Sequence, residues 1–139
     1  MKQAQTIIAA TAPHQGLHDI TVSLADWVAA QGIRTGLLTV FIRHTSASLV
    51  IQENWDADVQ RDIETFFGEL VPEDPSRYRH NSEGPDDMPA HIKGAMTDVQ
   101  LTIPVADNAL LLGQYQGVYL FEHRRRPRPR QIVLHLCGE

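Results

Sequence analysis

One cysteine, Cys137, two residues from the end, is all the thiol chemistry this chain contains. That excludes an intrachain disulfide, makes a small buried or fraying side chain the expected role of Cys137, and fits a reducing compartment. No apolar run approaches the roughly 18 residues of a membrane span. The opening MKQAQTIIAATAPHQG has a single lysine and only a short apolar patch, so it lacks the pattern of a secretory signal, and a cytoplasmic protein without membrane contact is expected. Also missing are HExxH, a Walker loop, GxGxxG and GxSxG, which removes the zinc-peptidase, P-loop, dinucleotide and serine-hydrolase readings as motif assignments. Neither an internal repeat nor a linker interrupts the 139 residues, so one domain spanning 1–139 is expected. A chain of this size buries about two thirds of its unfolded surface and needs neither disulfide nor structural metal, so a metal here would be functional.

Positive charge is scarce outside one segment. The formal net charge is -5, and five of the twelve Lys and Arg residues stand in RRRPRPR, Arg124 to Arg130, so the rest of the chain carries -10. An acidic surface disfavours nonspecific binding to nucleic acid. The arginine run has no interleaved aromatics and forms no extended basic face, and Pro127 and Pro129 keep it extended, so it reads as a solvated turn.

Residues 3–11 and 16–22 read as two antiparallel strands around Pro13 and Gly16. Ser23 with Asp26 three positions on forms a capping-box pattern for a short helix carrying Leu24, Trp27 and Val28, with Gly32 as its stop. The run LLTVFIR after Gly36 is so continuously apolar that cover on both faces is expected, and SLVIQ follows as another strand. Asn54 is placed to cap a long helix in which Val59, Ile63, Phe66 or Phe67, and Leu70 recur at helical spacing, with Asp56, Asp58 and Asp62 near its N-terminal end. Asp87 is placed to cap a further helix with Pro89 in its first turn, running to about Thr97. VQLTIPV, a tight turn at Asp107-Asn108, ALLLG, QGVYLFEHR and QIVLHLCG then read as a four-strand antiparallel meander, giving an α+β domain without βαβ alternation.

Chemistry is concentrated in two stretches, HTSASLVIQENWDAD from His44 and YRHNSEGPDDMPAHIK from Tyr78. The second is too rich in Gly, Pro, Asn and Asp to be regular before Pro89, so a metal ion or phosphorylated ligand is expected to order it. His44 ends an apolar strand, where a structural imidazole is common. Yet Thr45, Ser46 and Ser48 follow it, and hydroxyls with backbone amides make a phosphate cradle. Asn54 suits a helix cap, whereas Glu53 has no such role and can bind an amine, a metal or a catalytic proton. Asp56 and Asp58 read as solvated first-turn acids. His80, Glu83, Asp86, Asp87 and His91 offer ligands suited to zinc, or to manganese or magnesium where carboxylates dominate. Asp87 and His91 meet on one helix face if the helix starts at Asp87; otherwise they are a cap and a packing residue. Lys93 projects from a different face than His91. In Glu122-His123-Arg124, strand alternation lets only one side of the triplet face a site.

The motifs HTSASLVIQEN-x-D, LVPED, YRHNSEGPDDMPAHIK, LTIPV, LLG-x-x-QG and EHR closely resemble the YjbQ family of small bacterial and archaeal proteins over nearly the whole chain. The resemblance implies an α+β single domain with a mostly antiparallel β-sandwich-like sheet and two to three helices, and assembly as a homotrimer. It also implies weak thiamine-phosphate synthase activity, coupling an aminopyrimidine diphosphate to a thiazole phosphate. The family pattern carries over to His44, Thr45, Glu53, Asn54, Asp74, His80, Asn81, Glu83, Asp86, Asp87, His91, Lys93, Gln116, Gly117, Glu122, His123 and Arg124. Together with the chemistry of the residues themselves, this makes His44, Glu53, Asp87 and His91 the catalytic set. Thr45, Ser46, Asn54, Lys93, Gln116 and Arg124 form the substrate-binding set, and His44, His80 and His91 hold a divalent metal, zinc or magnesium or manganese. A metal-dependent hydrolase and a non-catalytic metal or metabolite binder use the same parts. Two departures stand out: LGTWQG becomes Leu112-Gly113-Gln114-Tyr115-Gln116-Gly117, which bears on a pocket wall and on substrate identity, and the usual Asp-Gly turn is Asp107-Asn108.

Overall fold

The computed structural model describes residues 1–139. In chain order the elements are β1 (Lys2–Ala10), β2 (Gly16–Asp19), α1 (Thr21–Ala29), β3 (Gly36–Ile42), β4 (Ala47–Glu53), α2 (Ala57–Leu70), a 3-10 turn (Pro75–Arg77), α3 (Asp87–Met96), β5 (Gln100–Ala106), β6 (Ala109–Leu110), β7 (Gln116–Glu122) and β8 (Arg130–Gly138). Two antiparallel sheets, ordered β1-β8-β3-β5-β6 and β2-β7-β4, curl toward each other as a sandwich-like half-barrel, which with three helices makes an α+β fold. A bridge between Leu49 and Asp98 stitches the sheets together. The core between them holds Leu38, Val40 and Ile42 of β3, Leu49 of β4, Val118 and Leu120 of β7, and Leu134 and Leu136 of β8.

Strand alternation decides which side chains enter that core. In β3, Leu38, Val40 and Ile42 are buried while Leu37 and Phe41 are 48% and 41% exposed, so the expected cover on both faces is absent within one chain. It belongs instead to β7, where every residue from Gly117 to Glu122 is buried. One face of β7 meets the core, and α2 lays Ile63 and Phe67 over Tyr119 and Phe121 on the other.

Local chemistry moves three helix starts from the expected positions. The carboxylate of Asp19 accepts from the Thr21 amide at 2.8 Å and its hydroxyl at 2.5 Å, so α1 begins before the Ser23 capping box and buries Ile20, Leu24 and Val28 as one stripe. Asp56, not Asn54, caps α2 by accepting from the Asp58 amide at 2.9 Å. In α3 the cap position is Asp86, and Asp87 is the first helical residue. Pairing corrects two further readings. β1 and β2 lie in different sheets, on β8 and β7, and only β5 and β6 form a hairpin from the expected meander. That hairpin turns at Asp107 and Asn108, with φ of 51° and 62°, as the tight turn requires.

Candidate functional site

The arginine run supplies two of the buttresses of the site. Arg130 opens β8 and is 1% exposed; its Nε and Nη2 donate to Glu122 Oε1 and Oε2 at 2.9 and 2.5 Å. Its remaining donors reach Ser46 Oγ at 3.0 Å and Ser46 O at 3.2 Å, tying the His44–Ser46 segment between β3 and β4 to β8. Arg124 Nε donates to Asp86 Oδ2 at 3.0 Å, Nη1 to Asp87 Oδ1 at 2.5 Å and Nη2 to Glu83 O at 3.0 Å. One guanidinium thus orders the irregular loop ahead of α3, a task expected of a metal or ligand. The run is therefore not simply a solvated turn. A bidentate fork matches two neighbouring carboxylates better than water does.

With its other oxygen, Asp87 faces the imidazoles. Asp87 Oδ2 lies 2.7 Å from His80 Nε2 and 3.3 Å from His91 Nε2, and His80 Nε2 is also 2.7 Å from Glu83 Oε2. One ligand atom from each of His80, Asp87 and His91 falls within 4.8 Å of the others. His91 Nδ1 is 3.1 Å from Thr45 O. A carbonyl only accepts, so a proton sits on Nδ1 and Nε2 is the nitrogen turned toward Asp87. Burial opposes ionisation of Asp87, but the His80 hydrogen bond and the positive field of Arg124 and the two imidazoles outweigh it and hold the carboxyl below its usual range. Asp86 behaves likewise: burial is outweighed by hydrogen bonds from the Arg125 amide and Arg124.

His44 stands apart from this trio. Its Nε2 accepts from the Gln131 amide at 2.8 Å, and its Nδ1 lies 3.4 Å from Arg130 Nη1. Desolvation first, then the Arg130 charge, lowers its pKa. A ring with one nitrogen committed to an amide and the other beside a guanidinium has no lone pair for a cation, so Asp87 takes the place in the cluster expected for His44. His44 does share a cavity of about 320 Å³ with His91 and Thr45. Through His44, Thr45 and Val99 that cavity adjoins a second, of about 530 Å³, walled by Arg43, Arg128 and Arg130.

The other expected residues are dispersed. Glu53 and Asn54 lie at the opposite end of β4 from His44, about 20 Å away over six residues of strand rise. Gln116 pairs with Glu53 there and uses its side chain to accept from the Gly113 amide at 2.8 Å. Tyr115 packs edge-on against Trp55 and does not line the His91 cavity, nor does Gln114. Ser46 is held by Arg130 and Ser48 is buried against His123 at 2.8 Å, leaving Thr45 as the free hydroxyl of the expected cradle. Asp74 caps the 3-10 turn through Ser76, and the Asn81 amide donates to Tyr78 O at 3.2 Å. Lys93 is buried on the far side of α3, and Arg124 is bound to carboxylates. Arg43 and Arg128 were not singled out by the sequence, where Arg43 reads as the end of an apolar strand and Arg128 as part of a turn.

Residues 5–139 match the family described as UPF0047 protein YjbQ-like. The UPF0047 protein of Synechocystis sp. is 49% identical over 138 residues, covering 99% of this chain and 94% of that protein. The UPF0047 protein YjbQ of Salmonella typhimurium is 42% identical over 136 residues, covering 97% and 98%. Among solved structures, a YbjQ-like protein of unknown function from Sulfolobus solfataricus superposes with a TM-score of 0.86 at 27% identity, covering 99% of both chains. A conserved hypothetical protein from Thermus thermophilus gives 0.82 at 30%, covering 95% of this chain and 99% of that one.

Proposed function

The chain belongs to the YjbQ-like UPF0047 family, and from the geometry of its site we propose that it is an enzyme that uses a divalent metal to act on a small phosphorylated molecule. The observation that supports this is the adjacency of the His80–Asp87–His91 trio to an arginine-walled cleft. The donor set fits zinc. Ligands about 2 Å from a tetrahedral ion stand about 3.3 Å apart; Asp87 and His91 stand at 3.3 Å, His80 is drawn to 2.7 Å from Asp87 by a hydrogen bond, and all three donor atoms lie within 4.8 Å of one another. His80, Asp87 and His91 would hold the ion, with Thr45 O and Arg124 orienting His91 and Asp87 from behind. When bound, the metal would neutralise charge on phosphate oxygens.

The reaction that the family resemblance implies is weak thiamine-phosphate synthase chemistry, a transfer in which diphosphate leaves an aminopyrimidine methylene carbon as the thiazole nitrogen attacks. Arg43 and Arg128 face the adjoining cleft and supply positive charge for the departing group, while Thr45 offers a hydroxyl between the two cavities. A hydrolase is the second reading, favoured by the two-imidazole, one-carboxylate set, which is of the type that leaves a metal position open to water. Metal-loaded protein given both substrates is expected to form coupled product above a buffer control and to lose this in His91→Ala. Phosphate release without coupled product would replace the transferase with the hydrolase. No turnover with metal retained would leave a binding protein.

A homotrimer is part of the same proposal. Ile7 and Phe41 flank Val133 in register on the outer face of the five-stranded sheet, and Leu37 pairs with Cys137 beside them. An apolar outer face on an antiparallel sheet is usually covered, here by further copies of the chain. No helix is long and apolar enough to cross a membrane. The single unpaired Cys137 supports a cytoplasmic setting.

A further inference from the structure

Successive helical residues turn by about 100°, so Lys93 leaves α3 about 200° from His91 and faces another cavity. This space, about 520 Å³, lies between α2, residues 72–73 and the end of β7. Two residues of its wall, Lys93 and His123, carry polar groups without partners. Lys93 is 6% exposed, and its ammonium feels Glu73 and Asp86 only through space, with no hydrogen bond to either. His123 is 1% exposed; its Nε2 is bound to Ser48 Oγ at 2.8 Å, and its buried Nδ1 has no partner. Buried polar groups are almost always satisfied, and an ammonium beside an imidazole nitrogen calls for a ligand that carries oxygen.

The walls are built as a site and not as a packing fault. The Gln15 amide donates to His123 O at 2.8 Å and to Glu73 Oε1 at 3.4 Å, while Arg125 pairs with Glu73 and Arg130 with Glu122, leaving Glu64, held by the Leu17 amide, as the one lining carboxylate without a cation. Gly16 has φ of 123°, and a Cβ there would lie 2.4 Å from Glu64 Oε1, which holds the Leu17 amide at 2.8 Å; only glycine fits this edge. Phe67 and Phe121, ring centroids 5.5 Å apart, supply an apolar wall, and the His123 ring lies 4.4 Å from Phe121.

We propose that this cavity is a second ligand site, separate from the His80–Asp87–His91 trio. It takes a small molecule with an anionic oxygen group, carboxylate or phosphate, on Lys93 Nζ beside the His123 ring, and an apolar body against Phe67 and Phe121. The test titrates benzoate and, separately, phenyl phosphate into the full chain while the His123 ring-nitrogen and Lys93 Cε resonances are followed. Saturable shifts at both residues are expected with at least one probe, and which probe binds identifies the anion. Affinity should fall at least about tenfold in Lys93→Met, the loss of a charged hydrogen bond. It should fall also in Thr65→Trp, which fills the mouth from an exposed helix position and decides the matter if the first variant is poorly folded. Zinc affinity at the trio should stay at the parent value in both, so this proposal and the metal reading fail independently. No saturable shift at millimolar probe, or shifts undiminished in a folded Thr65→Trp, would overturn it.

Discussion

Asp87 divides its carboxylate between Arg124 and two imidazoles: Oδ1 accepts from Arg124 Nη1 at 2.5 Å, and Oδ2 points at His80 and His91, 2.7 and 3.3 Å away. Half of the group is fixed by the guanidinium and half is left to the imidazoles. Fold and chemistry meet at this pair, because the same arginine also holds Asp86 and Glu83 O.

Arg124→Met should therefore act on both. Two largely buried carboxylates would lose their guanidinium and keep only the Arg125 amide and the His80 imidazole, and the expected cost is about 3 kcal/mol of stability in metal-free protein. Zinc affinity should drop about 10 to 100-fold, as it does when an orienting neighbour of a ligand is removed. Denaturant unfolding and calorimetric zinc titration check the two separately.

Arg130 and Glu122 form the more deeply buried pair, at 1% and 0% exposure. Arg130→Met leaves a carboxylate unpaired in the core and should cost about 3 to 5 kcal/mol, and Arg130→Met with Glu122→Leu should recover much of it. Urea midpoints of the single and double variants test this. Equal stability of parent and single variant would mean that Glu122 takes up a proton or a new donor.

The contrast between these arginines and their appearance in the sequence shows what was legible and what was not. Periodicity and turn chemistry are local, so the helices around Leu24, Ile63 and His91 and the Asp107-Asn108 turn could be read directly. The partners of Arg124 and Arg130 lie up to 41 and 86 positions away, so no spacing rule finds them. Strand pairing is equally non-local: β1 lies along β8 from the other end of the chain. Within the site, the four-residue spacing of Asp87 and His91 and the opposed direction of Lys93 follow from helix geometry and appear as expected. His44 and Glu53 were joined by chemical type alone. A seven-residue strand separates them, which alternation cannot shorten.

His123 makes stability depend on pH. Burial, then the charges of Lys93 and Arg130, lowers its pKa from 6.5 to about 3. Between those values the unfolded chain binds the extra proton, so stability is full above about 6.5 and is lost as pH falls toward about 3. From pH 7 to pH 5 the parent should lose about 2 kcal/mol that His123→Gln does not, other groups being common to both. Parallel pH profiles of the two proteins would contradict this.

Phe41, 41% exposed beside Val133, tests the assembly. Phe41→Arg should shift sedimentation at micromolar concentration from trimer to monomer with little change in helix content. A monomeric parent would remove the homotrimer.

The most direct measurement is zinc binding to the purified chain and to Asp87→Asn and His91→Ala, each checked for native fold by circular dichroism. One zinc per chain is predicted, with affinity about 10 to 100-fold weaker in either variant and binding that weakens in acid, because a coordinating imidazole must be neutral. Folded parent that takes up no zinc, or folded variants that bind as tightly as the parent, would contradict the account.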